Sequence, residues 1–133
     1  MKYLLSDNEG VVEEFSKITP LQNILNQSID YWSRGTGDVG VEISNNERLI
    51  FFRITQGFFI MYHPEYLSPK TNSDDLEIYT HYIGGQKFLI PSTCICSKEQ
   101  TLEILENFID KGTLKDSYNW VDFYSELGDF QEF

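Results

Sequence analysis

Two apolar runs, Leu49-Ile50-Phe51-Phe52 and Phe58-Phe59-Ile60-Met61-Tyr62, are separated by a short polar stretch that ends in Gln56-Gly57. Neither run alternates apolar with polar, so each strand needs cover on both of its faces. Gln56-Gly57 reads as a tight turn, which makes the flanking segments, Glu47 to Thr55 and Phe58 to His63, antiparallel neighbours. A hairpin of this composition belongs in the middle of a sheet. One side is expected under helices, the other under a partner or the C-terminal tail.

The surrounding segments extend that sheet. Val39, Val41 and Ile43 alternate with Gly40 and Glu42, and Asn45-Asn46 forms a turn pair that tolerates positive φ. Residues 64–75, with two prolines and many small polar residues, read as a long loop. From Leu76 to Ile83 alternation returns, with Leu76, Ile78, Thr80 and Tyr82 on one face and Glu77, Tyr79, His81 and Ile83 on the other. Gly84-Gly85 turns the chain into a strand from Lys87 to Ile90, ended by Pro91.

Helices are expected on either side of the strands. Thr19-Pro20-Leu21-Gln22 reads as a capping box with Pro at the first helical position. Leu21, Ile24, Leu25, Ser28 and Trp32 then carry a helix to Arg34, stopped by Gly35-Thr36-Gly37. Ser97-Lys98-Glu99-Gln100 is a second capping box, followed by Leu102, Leu105, Phe108 and Ile109 on one face and by Gly112 as the stop. Trp120 marks a short final strand or turn. Tyr3-Leu4-Leu5 reads as an edge strand and Val11 to Phe15 as a helical turn. The fold class is α+β: one domain over residues 1–133, with an antiparallel meander of about four to six strands and both helices on one face.

Charge narrows the function. With 10 Lys and Arg against 21 Asp and Glu, the chain carries −11 at neutral pH, which disfavours nucleic acid and anionic membranes and favours a basic partner. Met1 to Leu5 is followed at once by Ser6-Asp7-Asn8-Glu9, which is no signal peptide, and no apolar run approaches the roughly 20 residues of a membrane span. The cytoplasm is the expected compartment.

Catalytic patterns are sparse. His63 and His81 stand eighteen residues apart, and the pair Cys94 and Cys96 would point the same way on a strand. Neither a nucleophile motif nor a zinc spacing results, so no catalytic residue, metal or cofactor is expected. Gly35-Thr36-Gly37-Asp38-Val39-Gly40 spells G-x-G-x-x-G, but it follows a helix and opens a strand, the reverse of a phosphate-binding turn. Glu13-Glu14 reads as solvated charge. The expected binding patch is Asp74, Asp75, Glu77, Tyr79 and His81, acids and an aromatic on one strand and its lead-in loop. The tail adds Asp122, Glu126, Asp129 and Glu132 among Phe123, Tyr124, Phe130 and Phe133.

The stretch from Gly84 to Asp122 resembles the type-one immunity protein family of bacterial polymorphic toxin and contact-dependent growth inhibition systems. The resemblance rests on Gly84-Gly85 before an apolar strand, on Phe108-Ile109-Asp110-Lys111-Gly112 closing a helix, and on Trp120 eight residues later. It has motif support over residues 84–123 and extends coarsely over 38–123, while 1–18 and 124–133 carry nothing that matches. It implies a non-enzymatic inhibitor that binds the C-terminal domain of a cognate toxin 1:1. Such toxins are often nucleic-acid-directed, deaminases or nucleases among them, with a basic cleft that carboxylates would occlude. The matched residues Gly84, Gly85, Phe108, Gly112 and Trp120 read as structural. The alternatives are a small cytosolic hydrolase using a histidine with a cysteine or carboxylate, and a non-enzymatic adaptor or ligand-binding domain.

Overall fold

The computed structural model describes residues 3–43 and 46–128. Its centre is the hairpin of β4 (Arg48–Ile54) and β5 (Gly57–His63), paired from Arg48–His63 to Ile54–Gly57 across a Thr55-Gln56 turn. Strands β1 (Tyr3–Ser6), β2 (Val12–Phe15), β3 (Val39–Glu42), β6 (Leu67–Lys70) and β9 (Asn119–Asp122) complete a seven-stranded sheet in the order β2-β1-β3-β4-β5-β6-β9, antiparallel throughout. Strands β7 (Ile78–Ile83) and β8 (Gln86–Pro91) form a separate hairpin.

Directly opposed residues share a face. By that rule Leu5, Val41 and Leu49 lie on one side of the sheet with Phe51, Ile60 and Phe58. Helix α1 (Thr19–Leu25), a 3-10 turn at Ile29–Ser33 and helix α2 (Lys98–Lys111) cover this side. Trp32 meets Phe51 and Phe58 at ring separations of 6.0 and 6.1 Å, and Tyr3 meets Phe108 at 6.2 Å while its hydroxyl donates to the Phe108 carbonyl.

The other side carries Phe52, Phe59 and Met61, and its cover comes from the chain itself. His81 of β7 stacks on Phe52 at 4.3 Å, and Phe88 of β8 contacts Phe52 and Phe59 at 5.8 Å each. A third helix, α3 (Phe123–Leu127), adds Phe123, 5.3 Å from Phe59 and stacked on Phe88 at 5.2 Å. The cover expected from a partner or the C-terminal tail comes in part from that tail, as α3, and otherwise from the β7–β8 hairpin. The meander breaks there: Lys87–Ile90 folds onto the sheet instead of joining its edge.

Several local expectations change with tertiary context. Val12–Phe15 is the edge strand and not a helical turn, and β1 lies inside the sheet between β2 and β3. The helix expected to Arg34 ends at Leu25, and the 3-10 turn that replaces its second half carries Trp32 into the core. Ile18 caps α1 with no side-chain bond, so Thr19 makes no capping box, although Pro20 sits in the first turn. The loop at 64–75 contains β6, recruited because β9 pairs with it from Leu67–Asp122 to Lys70–Asn119. Cys94 lies in a 3-10 turn, and Cys96 bridges to Phe58 of β5, so the two do not share a strand. Asn45 of the expected Asn45-Asn46 turn lies outside the described residues, as do Asp129, Phe130, Glu132 and Phe133.

Other readings hold. Ser97 and Gln100 form both bonds of the capping box, and Gly112 ends α2 at φ 68. Trp120 donates its indole N–H to the Lys115 carbonyl at 2.8 Å, anchoring β9 to the preceding loop. Gly84 and Gly85, at φ 55 and 80, make the two-residue turn of β7–β8.

Buried Asn8 organises the entry to β3. Its amide donates to Tyr31 O at 2.7 Å, and its carbonyl accepts from Thr36 N at 2.7 Å. Gly35, at φ 59, passes so close that a Cβ there would stand 1.9 Å from Asn8 O, while a Cβ on Gly84 would meet nothing within 4 Å. Urea unfolding should separate the two: Gly35→Ala is expected to lose about 3 kcal/mol or more and Gly84→Ala about 1 kcal/mol, the cost of its positive φ alone.

Candidate functional site

The loop before β7 is fixed from behind. Ser92, just after β8, accepts from Glu77 N through its hydroxyl at 2.9 Å and donates its own N–H to Glu77 O at 2.9 Å. Asn72 donates to Ser92 O at 3.2 Å and accepts from Asp74 N at 3.2 Å. Asp74, Asp75 and Glu77 are exposed on this lip, and among the described residues none of the three forms an ion pair.

Tyr79 and His81 alternate to the inner side of β7. The Tyr79 hydroxyl reaches back to Glu77 at 3.4 Å, and His81 Nε2 donates to the Gly37 carbonyl at 2.9 Å while its ring covers Phe52. The five residues expected as one patch therefore divide, three acids outward and two rings inward. The inward pair lines a cleft of about 440 Å³ at the end of the sheet, whose other walls include Trp32 and Arg53. It opens there because β3 pairs with β4 only from Arg48 to Phe51, so residues 52–54 run on without a neighbour from β3. Arg53 also lines a second cleft of about 330 Å³, together with Lys98 and the Thr55–Gly57 turn.

A third concavity, of about 340 Å³, is apolar and lies on the β7–β8 side of the sheet between Ile50, Met61, Phe88 and Tyr124. Tyr66 stands at its rim at φ 57, the one non-glycine residue with positive φ among the described residues. Its carbonyl accepts from Phe123 N at 2.8 Å, and its ring lies 5.3 Å from Tyr124 and 4.9 Å from His63. Burial, with the nearby Arg48 charge, holds His63 below the usual histidine range, so its imidazole is neutral at pH 7.

The remaining chemistry is quiet. Cys94 and Cys96 are free and fully buried, and burial pushes both thiols up to about 12. Neither supplies a thiolate nucleophile near neutral pH. Among the described residues no group of three or more His, Cys, Asp or Glu side chains is placed to hold a metal ion. No helix among them is long and apolar enough to cross a membrane.

Trp32, Arg53, Tyr66 and Tyr124 were not expected at a site. Arg53 carried the one available signal, a cation inside the apolar run Leu49 to Ile54. Trp32 read as an ordinary helix-face residue, and nothing local marked Tyr66. No protein-family model matches the chain, and no curated protein matches it either.

Thiol chemistry should follow burial. In the folded chain at pH 8 both cysteines are expected to react with iodoacetamide about a thousandfold more slowly than in the urea-unfolded chain. Because these thiols stay protonated in the folded state, their contribution to stability is complete below the unfolded thiol pKa and is lost as pH rises from about 9 towards 12. A urea midpoint that does not fall over that interval would contradict the assignment.

Proposed function

We propose that the chain is an immunity-type inhibitor, a cytoplasmic, non-enzymatic protein that binds one secreted toxin domain 1:1 and blocks its basic cleft. The observation that carries this reading is the acidic lip: Asp74, Asp75 and Glu77 are exposed and form no ion pair among the described residues, on a loop held by Ser92, in a chain of net charge −11. Carboxylates fixed in this way steer a basic partner during approach and meet its cations without first breaking internal ion pairs. The likeness of Gly84–Trp120 to the immunity family supports the same reading. The matched residues are read as structural, not as the contact surface: Gly84-Gly85 turns a hairpin, Phe108 is buried, Gly112 caps α2 and Trp120 anchors β9.

The toxin in question is nucleic-acid-directed, a deaminase or a nuclease, since an enzyme that grips a polyanion needs cations for the acids to meet. The decisive experiment mixes this protein with the toxin domain encoded beside it. A 1:1 complex by light scattering, with loss of toxin activity, is expected. No complex at about micromolar concentration in low salt, where steering is strongest, would remove the proposal.

The lip has its own test. The triple charge reversal Asp74→Lys, Asp75→Lys, Glu77→Lys should slow association about tenfold or more in stopped-flow mixing and weaken its salt dependence, with a smaller change in dissociation. An unchanged association rate would move the interface away from β7.

A further inference from the structure

The clefts beside Arg53 break the charge pattern of the chain. Asp and Glu outnumber Lys and Arg by 21 to 10, yet among the described residues no carboxylate lines either cleft; Arg53 lines both, with His81 in the larger and Lys98 in the smaller. Lys98 is already engaged with the side chain of Asn26. Arg53 is not comparably satisfied. It is half-buried, forms no ion pair among the described residues, and its hydrogen bond is a long 3.5 Å contact from one guanidinium nitrogen to Gln27 O. A guanidinium has five N–H donors in a rigid fork, so one long, solvent-exposed contact leaves most of its donor capacity for an anion.

Behind the same wall a buried donor lacks an acceptor. Trp32, 1% exposed, lines the larger cleft, and its indole N–H has no hydrogen-bond partner. Such a group costs about 1–3 kcal/mol when buried. Ile29, Ile54 and Ile78 supply apolar wall beside Arg53. At about 440 Å³ the cleft is of small-molecule size.

We propose that the larger cleft binds a monoanionic carboxylate carried on an apolar body, with the Arg53 guanidinium gripping the carboxylate as a fork. Arginine matches a planar carboxylate through two parallel N–H···O bonds. The field of a chain at −11 opposes a dianion more than a monoanion, so affinity comes from one charge and from apolar contact. The site does not depend on the toxin reading, and either can fail alone.

The test is a ¹H–¹⁵N NMR titration of the full chain with 3-phenylpropionate, 3-phenylpropanamide, phenyl phosphate and N-acetylphenylalanine. The first acid should shift the Trp32 indole N–H and the Arg53 side chain saturably and leave the Trp120 indole in place. The amide should bind about tenfold more weakly or worse, and Arg53→Gln, with its fold checked by its spectrum, should lose about tenfold in affinity. Arg53→Lys, which keeps the charge without the fork, should fall between the two. N-acetylphenylalanine presents its carboxylate as a peptide C-terminus does. Binding by it in preference to 3-phenylpropionate assigns the cleft to a peptide end, and the reverse order assigns it to a free acid. No saturable shift with either acid up to about 10 mM, an amide that binds as well, or full affinity in Arg53→Gln would overturn the proposal. Tighter binding of phenyl phosphate would overturn the choice of a monoanion.

Discussion

Everything in this molecule depends on keeping water from both faces of one hairpin. Phe51, Phe58 and Ile60 point one way from β4 and β5, Phe52, Phe59 and Met61 the other, and all six are buried. Helices dry the first face, with Trp32 and Phe108 in its core. The second face is dried by a small hairpin and a one-turn helix, through His81, Phe88 and Phe123. Burying an aromatic side chain is worth about 1.5–3 kcal/mol, so a two-stranded hairpin that would be marginal alone becomes a fixed lid. The glycine turn at Gly35–Gly37 holds that lid down, since Thr36 O accepts from Gly84 N at 2.8 Å and Gly37 O from His81 at 2.9 Å.

The same arrangement places the chemistry. Because β7 spends its inner side on the sheet, Tyr79 and His81 become walls, while the acids of its lead-in loop face solvent. The acidic lip and the Arg53 cleft thus lie at two sides of one strand: carboxylates on the loop that leads into β7, and Arg53 where β7 meets the end of β4. Cys94 is buried in its 3-10 turn and Cys96 against the start of β5, where Gly57 lets the Cys96 backbone approach; a Cβ there would lie 2.8 Å from Cys96 O.

Legibility from sequence followed the range of the interactions. The α2 cap, the Gly112 stop, the Gly84-Gly85 turn and the β4–β5 hairpin were all readable, because each is decided within a few residues. Val12–Phe15 misled, since Val-Glu-Glu-Phe has no strong local preference and becomes a strand by pairing with β1. Ile29–Ser33 misled in another way: helical spacing was present, but seating Trp32 against Phe51 and Phe58 favoured a tighter turn. At the candidate site the acids were legible as exposed residues. The inward turn of Tyr79 and His81 was not, because alternation separates two faces without saying which one is buried.

By itself the sequence determined that this chain needs a central hairpin covered on both faces, that its class is α+β with antiparallel strands, and that its surface is strongly acidic. Those properties are set by composition and by spacings of one to four residues. Only the tertiary structure decided what supplies the second cover, which side of β7 faces water, and that Arg53 shares a cleft with Trp32. Each of these joins segments more than twenty residues apart, and such contacts are fixed by burial summed over the whole fold.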